Sequence, residues 1–384
     1  MKVLVFHWKD ITHPYAGGAE RLLHQLMKEI MPLGHSVVWF CSRYENSREE
    51  EYVDGINVVR RGGQFSVYLH AIFFYLRNRK KIDLVIDNIT GVPWFTPIYS
   101  SRPKVAIIYH VGTKETFFIE LPAMQGLIGY FLALVGWLAE CMVPVLYKNV
   151  PFITFSEDTK NDLTHLGVHE DHILVAQEGI VLTKYNLGKE RNGFPLIIYV
   201  GRLVRYKGVE YLIRAMTFVV QHVPDAKLSI VGRGFFEAKL KELITDLGLE
   251  ESVTFHGYVS EDEKIKLLQR AHVLVMPSLR EGWATPVIEA NACGTPAIGT
   301  NVMGVKSTII NGVTGFLVPY GDVKELASKI TIILSNYEIR ERMSDNALRW
   351  AQKFDQKLMV QRFVKMLNSL GLNNGRINQK DNNL

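Results

Sequence analysis

The sequence predicts an α/β protein built from two doubly wound parallel sheets, one in each half of the chain. Three observations lead there. Short β-branched apolar runs alternate with longer amphipathic segments through both halves, the pattern of parallel strands joined by helices. The length of 384 residues exceeds what one hydrophobic core usually supports. Between the halves, residues 178–195 are too polar and Gly-rich to continue either pattern.

In chain order, the opening M-K-V-L-V-F-H-W is too short and too polar afterwards for a signal peptide and reads as a buried first strand at 3–6. Ala16-Gly17-Gly18-Ala19-Glu20 then turns into a helix ending near Leu33. Further first-half strands are expected at 37–40, 84–86, 105–108 and 152–154. The second half repeats the scheme with strands at 196–200, 227–231, 253–255, 273–276 and 297–299, and helices at 208–220 and 235–247. This gives an N-terminal domain over 1–190 and a C-terminal domain over 191–352. A helix follows at 353–370, then an Asn-rich tail at 371–384 whose composition favours disorder. Doubly wound sheets bind ligands at the carboxyl ends of their strands, so a cleft between the two domains is the expected site.

A net charge of +5 suits a phosphate ligand better than a nucleic-acid backbone, and no nucleic-acid motif accompanies it. Cys41, Cys141 and Cys293 are scattered, with no Cys or His at metal-ligand spacing, which points to reduced structural thiols and a cytoplasmic address.

The densest chemistry lies in R-E-G-W-A-T-P-V-I-E-A-N-A-C-G-T-P, residues 280–296, where seven residues separate Glu281 from Glu289. Gly282 and Pro286 mark a loop after the 273–276 strand, and 287–293 read as a short helix. Glu281 therefore sits on the loop and Glu289 about one turn into the helix. The free N–H groups of a helix's first turn form an anion seat suited to a diphosphate, and a fixed carboxylate accepts vicinal hydroxyls. A nucleotide sugar needs both.

This stretch resembles the Glu-x7-Glu element of family 4 retaining glycosyltransferases, whose usual form is Glu-Gly-Phe-Gly-Leu-Pro, then Glu-Ala and Cys-Gly-Thr-Pro. Trp283, Ala284 and Thr285 replace Phe, Gly and Leu where that family lines its sugar pocket, a departure bearing on which sugar is taken. The resemblance implies a GT-B fold, donor contacts along Gly282, Trp283, Ala284 and Thr285, sugar hydroxyls on Glu281 and ribose on Glu289. It also implies that the C-terminal helix crosses back to the first domain.

V-G-R-L-V-R-Y-K-G, residues 200–208, follows the 196–200 strand and opens a helix. Arg202 and Lys207 can neutralise a diphosphate above that strand end. The resembled family holds its donor phosphates with the matching Arg and Lys. Gly232-Arg233-Gly234 follows the next strand and reads as a loop admitting the donor closely. Gly17 and Gly18 likewise let backbone N–H groups approach a ligand, and the resemblance aligns them with a Gly-Gly-x-Glu turn at the donor phosphate. His110 ends a strand where the family has a His contacting the donor sugar.

No Asp-x-Asp element follows a strand in either half, so no metal and no cofactor is expected; Arg202, Lys207 and helix N-termini would carry the leaving-group charge. Two carboxylates would ordinarily suggest a double displacement. The resemblance instead implies front-face substitution with retention, through an oxocarbenium-like state.

Residues 121–139 carry no charge, long enough to be weighed as a membrane span. A crossing there would cut the first sheet in two. Gly126, Gly129, Ala133, Gly136 and Glu140 share one helical face and Leu127, Phe131, Leu134 and Leu138 another, so the small face can pack on the domain and leave the bulky one for lipid. A wholly buried helix is the alternative. Arg77, Arg79, Lys80 and Lys81 could add attraction to anionic headgroups. The resulting expectation is a retaining, metal-independent hexosyltransferase, peripheral at the inner face of the cell membrane through 121–147. It would use a nucleoside-diphosphate sugar, UDP- in preference to GDP-, and a lipid-linked or membrane-proximal glycan acceptor. The alternatives are a catalytically silent sugar-nucleotide-binding subunit and a nucleotide-sugar epimerase.

Overall fold

A computed structural model describes residues 1–112, 114–187 and 193–372. Contacts divide the chain into two compact units. One comprises Met1–Thr113, Leu134–Gln177 and Met359–Leu384, the other Lys114–Ala133 and Glu178–Leu358. The change of unit thus falls at Gln177/Glu178 rather than near residue 190. The polar segment that reads as a linker hides two core residues, Ile180 and Tyr185. Ile180 is also tied by backbone hydrogen bonds to Phe354 and Gln356, at 2.9 Å each. A second division falls at Leu358/Met359 instead of residue 352. Past Leu372, the tail anticipated at 371–384 lies outside the described residues.

The first unit's sheet contains β1 (Lys2–Phe6), β2 (Ser36–Cys41), β3 (Glu50–Val53), β4 (Ile56–Arg60), β5 (Leu84–Ile89), β6 (Lys104–Ile108), β7 (Phe152–Thr154) and β8 (Ile173–Val175). Their order is β3-β4-β2-β1-β5-β6-β7-β8, parallel except for the β3–β4 hairpin. Asp54 and Gly55 close that hairpin with φ of 48° and 84°. Asp-Gly is the residue pair a tight primed turn demands, so this signal was present in the sequence. The helices of this half of the chain are α1 (Gly18–Ile30), α2 (Val67–Asn78), α3 (Thr96–Tyr99), α4 (Lys114–Cys141), whose residues Lys114–Ala133 are counted with the other unit, α5 (Val143–Leu146) and α6 (Glu157–Leu166). Alternation along β1 sends Val3 and Val5 into one core with Leu23 and Met27 of α1, and Leu4 and Phe6 into another with Val67 and Ala71 of α2.

Within α4, Gly126 at φ 58° and ψ −135° breaks the helix into two. Gly126–Leu146 is long and apolar enough to cross a membrane, with a mean hydropathy of 1.8. Yet the strands on either side of it, β6 and β7, pair in parallel in one sheet, Ala106 opposite Phe152. Glu140 is buried and accepts the Gly112 N–H at 2.6 Å. Both observations place the segment's end against the sheet. Gly129, Ala133 and Gly136 are buried, while Gly126, expected on the same face, is exposed at the break, and Leu127, Phe131, Leu134 and Leu138 are 88, 67, 42 and 49 % exposed. The wholly buried alternative therefore does not hold.

The second unit's sheet is parallel throughout: β9 (Leu196–Val200), β10 (Lys227–Val231), β11 (Val253–Gly257), β12 (Val273–Met276), β13 (Ala297–Thr300) and β14 (Gly315–Val318), in the order β11-β10-β9-β12-β13-β14. Its helices are α7 (Val209–His222), α8 (Glu237–Leu247), α9 (Glu261–Arg270), α10 (Thr285–Ala292), α11 (Val323–Ser335) and α12 (Tyr337–Ala351). The chain winds away from β9 in one direction and from β12 in the other, so a topological switch point lies at their carboxyl ends. Helix α13 (Gln356–Leu372) places Met359, Phe363, Met366 and Leu367 in the first unit's core.

Candidate active site

The loops leaving β9 and β12 are fastened to each other at the switch point. The Leu279 N–H donates to the Tyr206 carbonyl at 2.8 Å. Gly208, at φ 66°, lets the turn approach so closely that a Cβ would lie 2.2 Å from the Pro277 carbonyl. This brings Lys207 and Glu281 together: the ammonium donates to both Glu281 oxygens at 2.6 Å. The Ser278 hydroxyl adds a third bond to Oε1 at 2.6 Å. The pair is largely buried, at 13 and 11 % side-chain exposure. Burial disfavours the ammonium, but the facing carboxylate outweighs it and holds Lys207 above the ordinary lysine range. On the other side of Glu281, Gly304 at φ 76° leaves room for the Glu281 carbonyl, 2.0 Å from where its Cβ would stand.

Glu289, one turn into α10, has different company. Both of its described hydrogen bonds fall on Oε1, from the Tyr185 hydroxyl at 2.9 Å and Lys264 of α9 at 2.8 Å. Tyr185 is also 2.9 Å from Glu261 Oε1, and Lys264 is 2.8 Å from the same oxygen. A phenol has one proton to give, so the two carboxylates share it, while the ammonium has enough N–H groups for both. Burial pushes the Glu289 carboxyl above its usual range in spite of Lys264. Burial and the two carboxylates likewise drive the Tyr185 phenol upward. Burial would depress Lys264, but Glu289 and Glu261 keep it above the lysine value.

A third carboxyl, Glu178, accepts from the Thr285 hydroxyl at 2.6 Å, at the first residue of α10. Burial is the main cause, and repulsion by Glu289 and Glu281 adds to it, of a pKa pushed up to about 7. No sequence signal marks Glu178, because it falls in the polar, Gly-rich segment that reads as a linker. The helix start also differs from the expected row of free donors. Thr285 N–H bonds the Trp283 carbonyl at 3.0 Å, Val287 N–H bonds the Ala284 carbonyl at 2.9 Å, and Pro286 has no N–H. Ala284 is buried and donates to Gly304 at 2.9 Å. Trp283 stacks obliquely on Phe354, ring centroids 5.3 Å apart, so its indole serves packing as well as lining the loop. Gly282 is partly exposed between these anchors.

Arg202 is exposed, and its guanidinium donates to the Tyr206 hydroxyl at 2.9 Å. Buried Tyr199 fixes the loop by bonding the Arg202 carbonyl at 2.9 Å. Gly232 and Gly234 have a packing reason. A Cβ on either would fall 1.8 and 2.0 Å from the carbonyls of Gly201 and Leu203, so these glycines let two loops of the same sheet pack together. Ser278, Lys264, Tyr185 and Glu261 were not legible beforehand, since no local pattern sets them apart from ordinary loop and helix residues.

Gly17, Gly18 and His110 belong to the first unit. The Gly17 N–H donates to Glu20 at 2.6 Å, and a Cβ on Gly18 would meet nothing within 4 Å. Burial opposes the Glu20 charge, but His7 and Lys9 hold its carboxyl below the usual range. His110 is exposed just past β6. Among the described residues, no group of three or more His, Cys, Asp or Glu is arranged to hold a metal ion.

Residues 16–184 match the model of Glycosyltransferase Family 4, and residues 187–350 that of Glycosyl transferases group 1. An uncharacterised glycosyltransferase of Methanocaldococcus jannaschii is 32 % identical over 371 residues, 90 % of this chain and 92 % of the relative. The chain belongs to the family 4, group 1 glycosyltransferases. A capsular polysaccharide biosynthesis glycosyltransferase of Staphylococcus aureus is 28 % identical over 71 % of this chain and 76 % of its own. Among solved structures, a sucrose-phosphate synthase of Thermosynechococcus elongatus superimposes with a TM-score of 0.81 at 21 % identity, over 96 % of this chain and 98 % of that one. The Anabaena protein HepE, crystallised with UDP-glucose, gives 0.75 at 20 % identity, over 96 and 100 %. These likenesses establish the GT-B fold of this glycosyltransferase, and the family assignment leaves the epimerase alternative without support.

Proposed function

We propose that the protein is a retaining, metal-independent hexosyltransferase that draws on a UDP-sugar in preference to a GDP-sugar. The observation that carries this reading is the unequal pair of carboxylates flanking the start of α10. Glu281 is closed on Lys207, while among the described residues the hydrogen bonds of Glu289 fall on Oε1, which leaves Oε2 for a vicinal diol. In this reading Glu289 takes the ribose hydroxyls and Glu281 those of the hexose, along a loop of Gly282, Trp283, Ala284 and Thr285. Arg202 and Lys207 carry the charge that grows on the diphosphate as the glycosidic bond breaks, the form of stabilisation that raises turnover more than ground-state binding. Gly17 and Gly18 are assigned to donor binding and His110 to transfer.

The acceptor in this proposal is a lipid-linked or membrane-proximal glycan, met at the cytoplasmic face of the membrane. The exposed apolar residues Leu127, Phe131, Leu134 and Leu138 support that location.

The test is incubation with UDP-hexoses in the presence of EDTA, following UDP release and the anomeric configuration of the product by NMR. Retention of configuration at an undiminished rate is expected. Dependence on added magnesium or manganese, or an inverted product, would overturn the mechanism. UDP binding without transfer to any acceptor would favour the silent subunit. Substituting His110 by Ala should lower transfer while leaving UDP affinity in place.

A further inference from the structure

Helix α2 is apolar on two faces. Val67, Ala71 and Tyr75 pack on Leu4, Phe6 and Val85 of the sheet. On its outer side Leu69, Phe73 and Leu76, spaced four and three residues apart, are 61, 61 and 43 % exposed, and Phe65 in the turn just before the helix is 66 % exposed. A helix apolar all round normally lies buried, so this outer stripe has an occupant.

The charge around the stripe identifies it. From Arg61 to Ile82 the chain contains no acidic residue. Directly after the stripe come Arg77, Arg79, Lys80 and Lys81, all exposed and without an ion-pair partner among the described residues. Apolar side chains flanked by unneutralised cations match a bilayer surface, with hydrocarbon beneath anionic headgroups.

The fold adds a second argument. Register pairs Phe6 with Asp87 and Asp87 with Ala106, so these three side chains point to one side of the sheet. Phe6 packs with α2, Asp87 accepts the Tyr147 hydroxyl, and Ala106 packs with Val143 of α5. Helix α2 and the α4–α5 segment therefore cover the same face of the first unit's sheet. Leu138, Met142 and Val145 are 49, 49 and 72 % exposed on that segment.

We propose that α2 is an anionic-lipid-binding element, inserting Phe65, Leu69, Phe73 and Leu76 while Arg77, Arg79, Lys80 and Lys81 meet the headgroups. It rests on the membrane location proposed above and adds to it a second insertion element and a lipid charge preference.

The experiment is flotation of the full-length protein with phosphatidylcholine vesicles, with and without phosphatidylglycerol, at low and high salt. Three double variants are compared: K80Q/K81Q, L69S/F73S and L134S/L138S. The wild type should float better with phosphatidylglycerol and lose that advantage in salt. K80Q/K81Q should lower partition onto phosphatidylglycerol vesicles about thirtyfold and leave phosphatidylcholine binding unchanged. L69S/F73S should lower both at least about tenfold with an unaltered circular dichroism spectrum. If L69S/F73S misfolds, the lysine variant decides alone, because two exposed charges carry no packing.

If the wild type floats, both α2 variants float equally well and L134S/L138S does not, the role of α2 is overturned and the membrane location stands. If the wild type floats with neither vesicle, both fall. If it instead sediments as a dimer that L69S/F73S separates, the stripe is a self-association face and the lipid assignment is wrong.

Discussion

Glu281 and Glu289 frame the same short helix, yet their surroundings differ in kind. Around Glu281 the charges close: one carboxylate, one ammonium and a serine hydroxyl, with both carboxylate oxygens engaged. Around Glu289 they do not: one ammonium serves Glu289 and Glu261 together, and Glu178 brings a further carboxyl nearby. The loop end is thus a finished ion pair that sets the position of Lys207. The helix end carries surplus negative charge that burial turns into raised proton affinity. In the proposed reading the pair with Glu281 holds the Lys207 cation in place for a diphosphate, the remaining lone pairs of Glu281 accept from the hexose hydroxyls, and Glu289 accepts from the ribose diol.

Opening the finished pair should have the largest effect. Lys207→Met leaves a nearly buried carboxylate without its cation and should cost about 3 kcal/mol in urea unfolding, with turnover reduced by about a hundredfold or more. Adding Glu281→Gln should recover most of the stability and none of the turnover. A double variant as unstable as the single one would mean that Lys207 contributes through packing and not through charge.

The surplus at the other end predicts a pH dependence. The folded-state pKa of Glu178 lies near 7, above the usual carboxyl value, so the folded state holds a proton that the unfolded chain has released. Stability is then greatest below the unfolded value of about 4.5 and declines as pH rises towards 7, by no more than about 3 kcal/mol. Glu178→Gln should flatten that slope in thermal unfolding between pH 5 and pH 8, about half-height near 7. An unchanged slope would remove Glu178 as its source.

The smallest effect is expected at Glu261. Glu261 is the more exposed of the two carboxylates on Lys264. Glu261→Gln keeps an acceptor oxygen but removes the charge that competes with Glu289 for that ammonium and for the Tyr185 proton, and should alter stability by less than about 1 kcal/mol. A loss of several times that amount would show Glu261 to be a structural partner rather than a competitor.

Much of this was legible in the sequence, for physical reasons that also mark the limit. Strands buried on both faces read as continuous apolar runs, which is why 196–200, 227–231 and 273–276 were placed to the residue. The three- to five-residue strands β3, β4, β8 and β14 are too short or too polar for that signal, although Asp54-Gly55 announced the hairpin. Lys207 and Glu281 read as one site because each follows a predicted strand of the same half, and they are in contact. Lys264, Tyr185 and Glu178 reach the site from a helix face and an extended segment, where neither spacing nor composition distinguishes a converging side chain from a solvated one. The free amides expected at the start of α10 failed because Trp283 and Ala284 supply carbonyls that a helix pattern does not reveal.

In the proposed reading the two carboxylates divide one donor between them, Glu289 taking the nucleoside and Glu281 the sugar. Calorimetric titration of UDP into the wild type, Glu289→Gln and Glu281→Gln distinguishes the two roles. The division predicts that Glu289→Gln weakens UDP binding by about 1–3 kcal/mol, roughly tenfold or more, while Glu281→Gln changes it by less than about threefold and loses sugar transfer. UDP binding unaltered in Glu289→Gln, or lost equally in both variants, would contradict it.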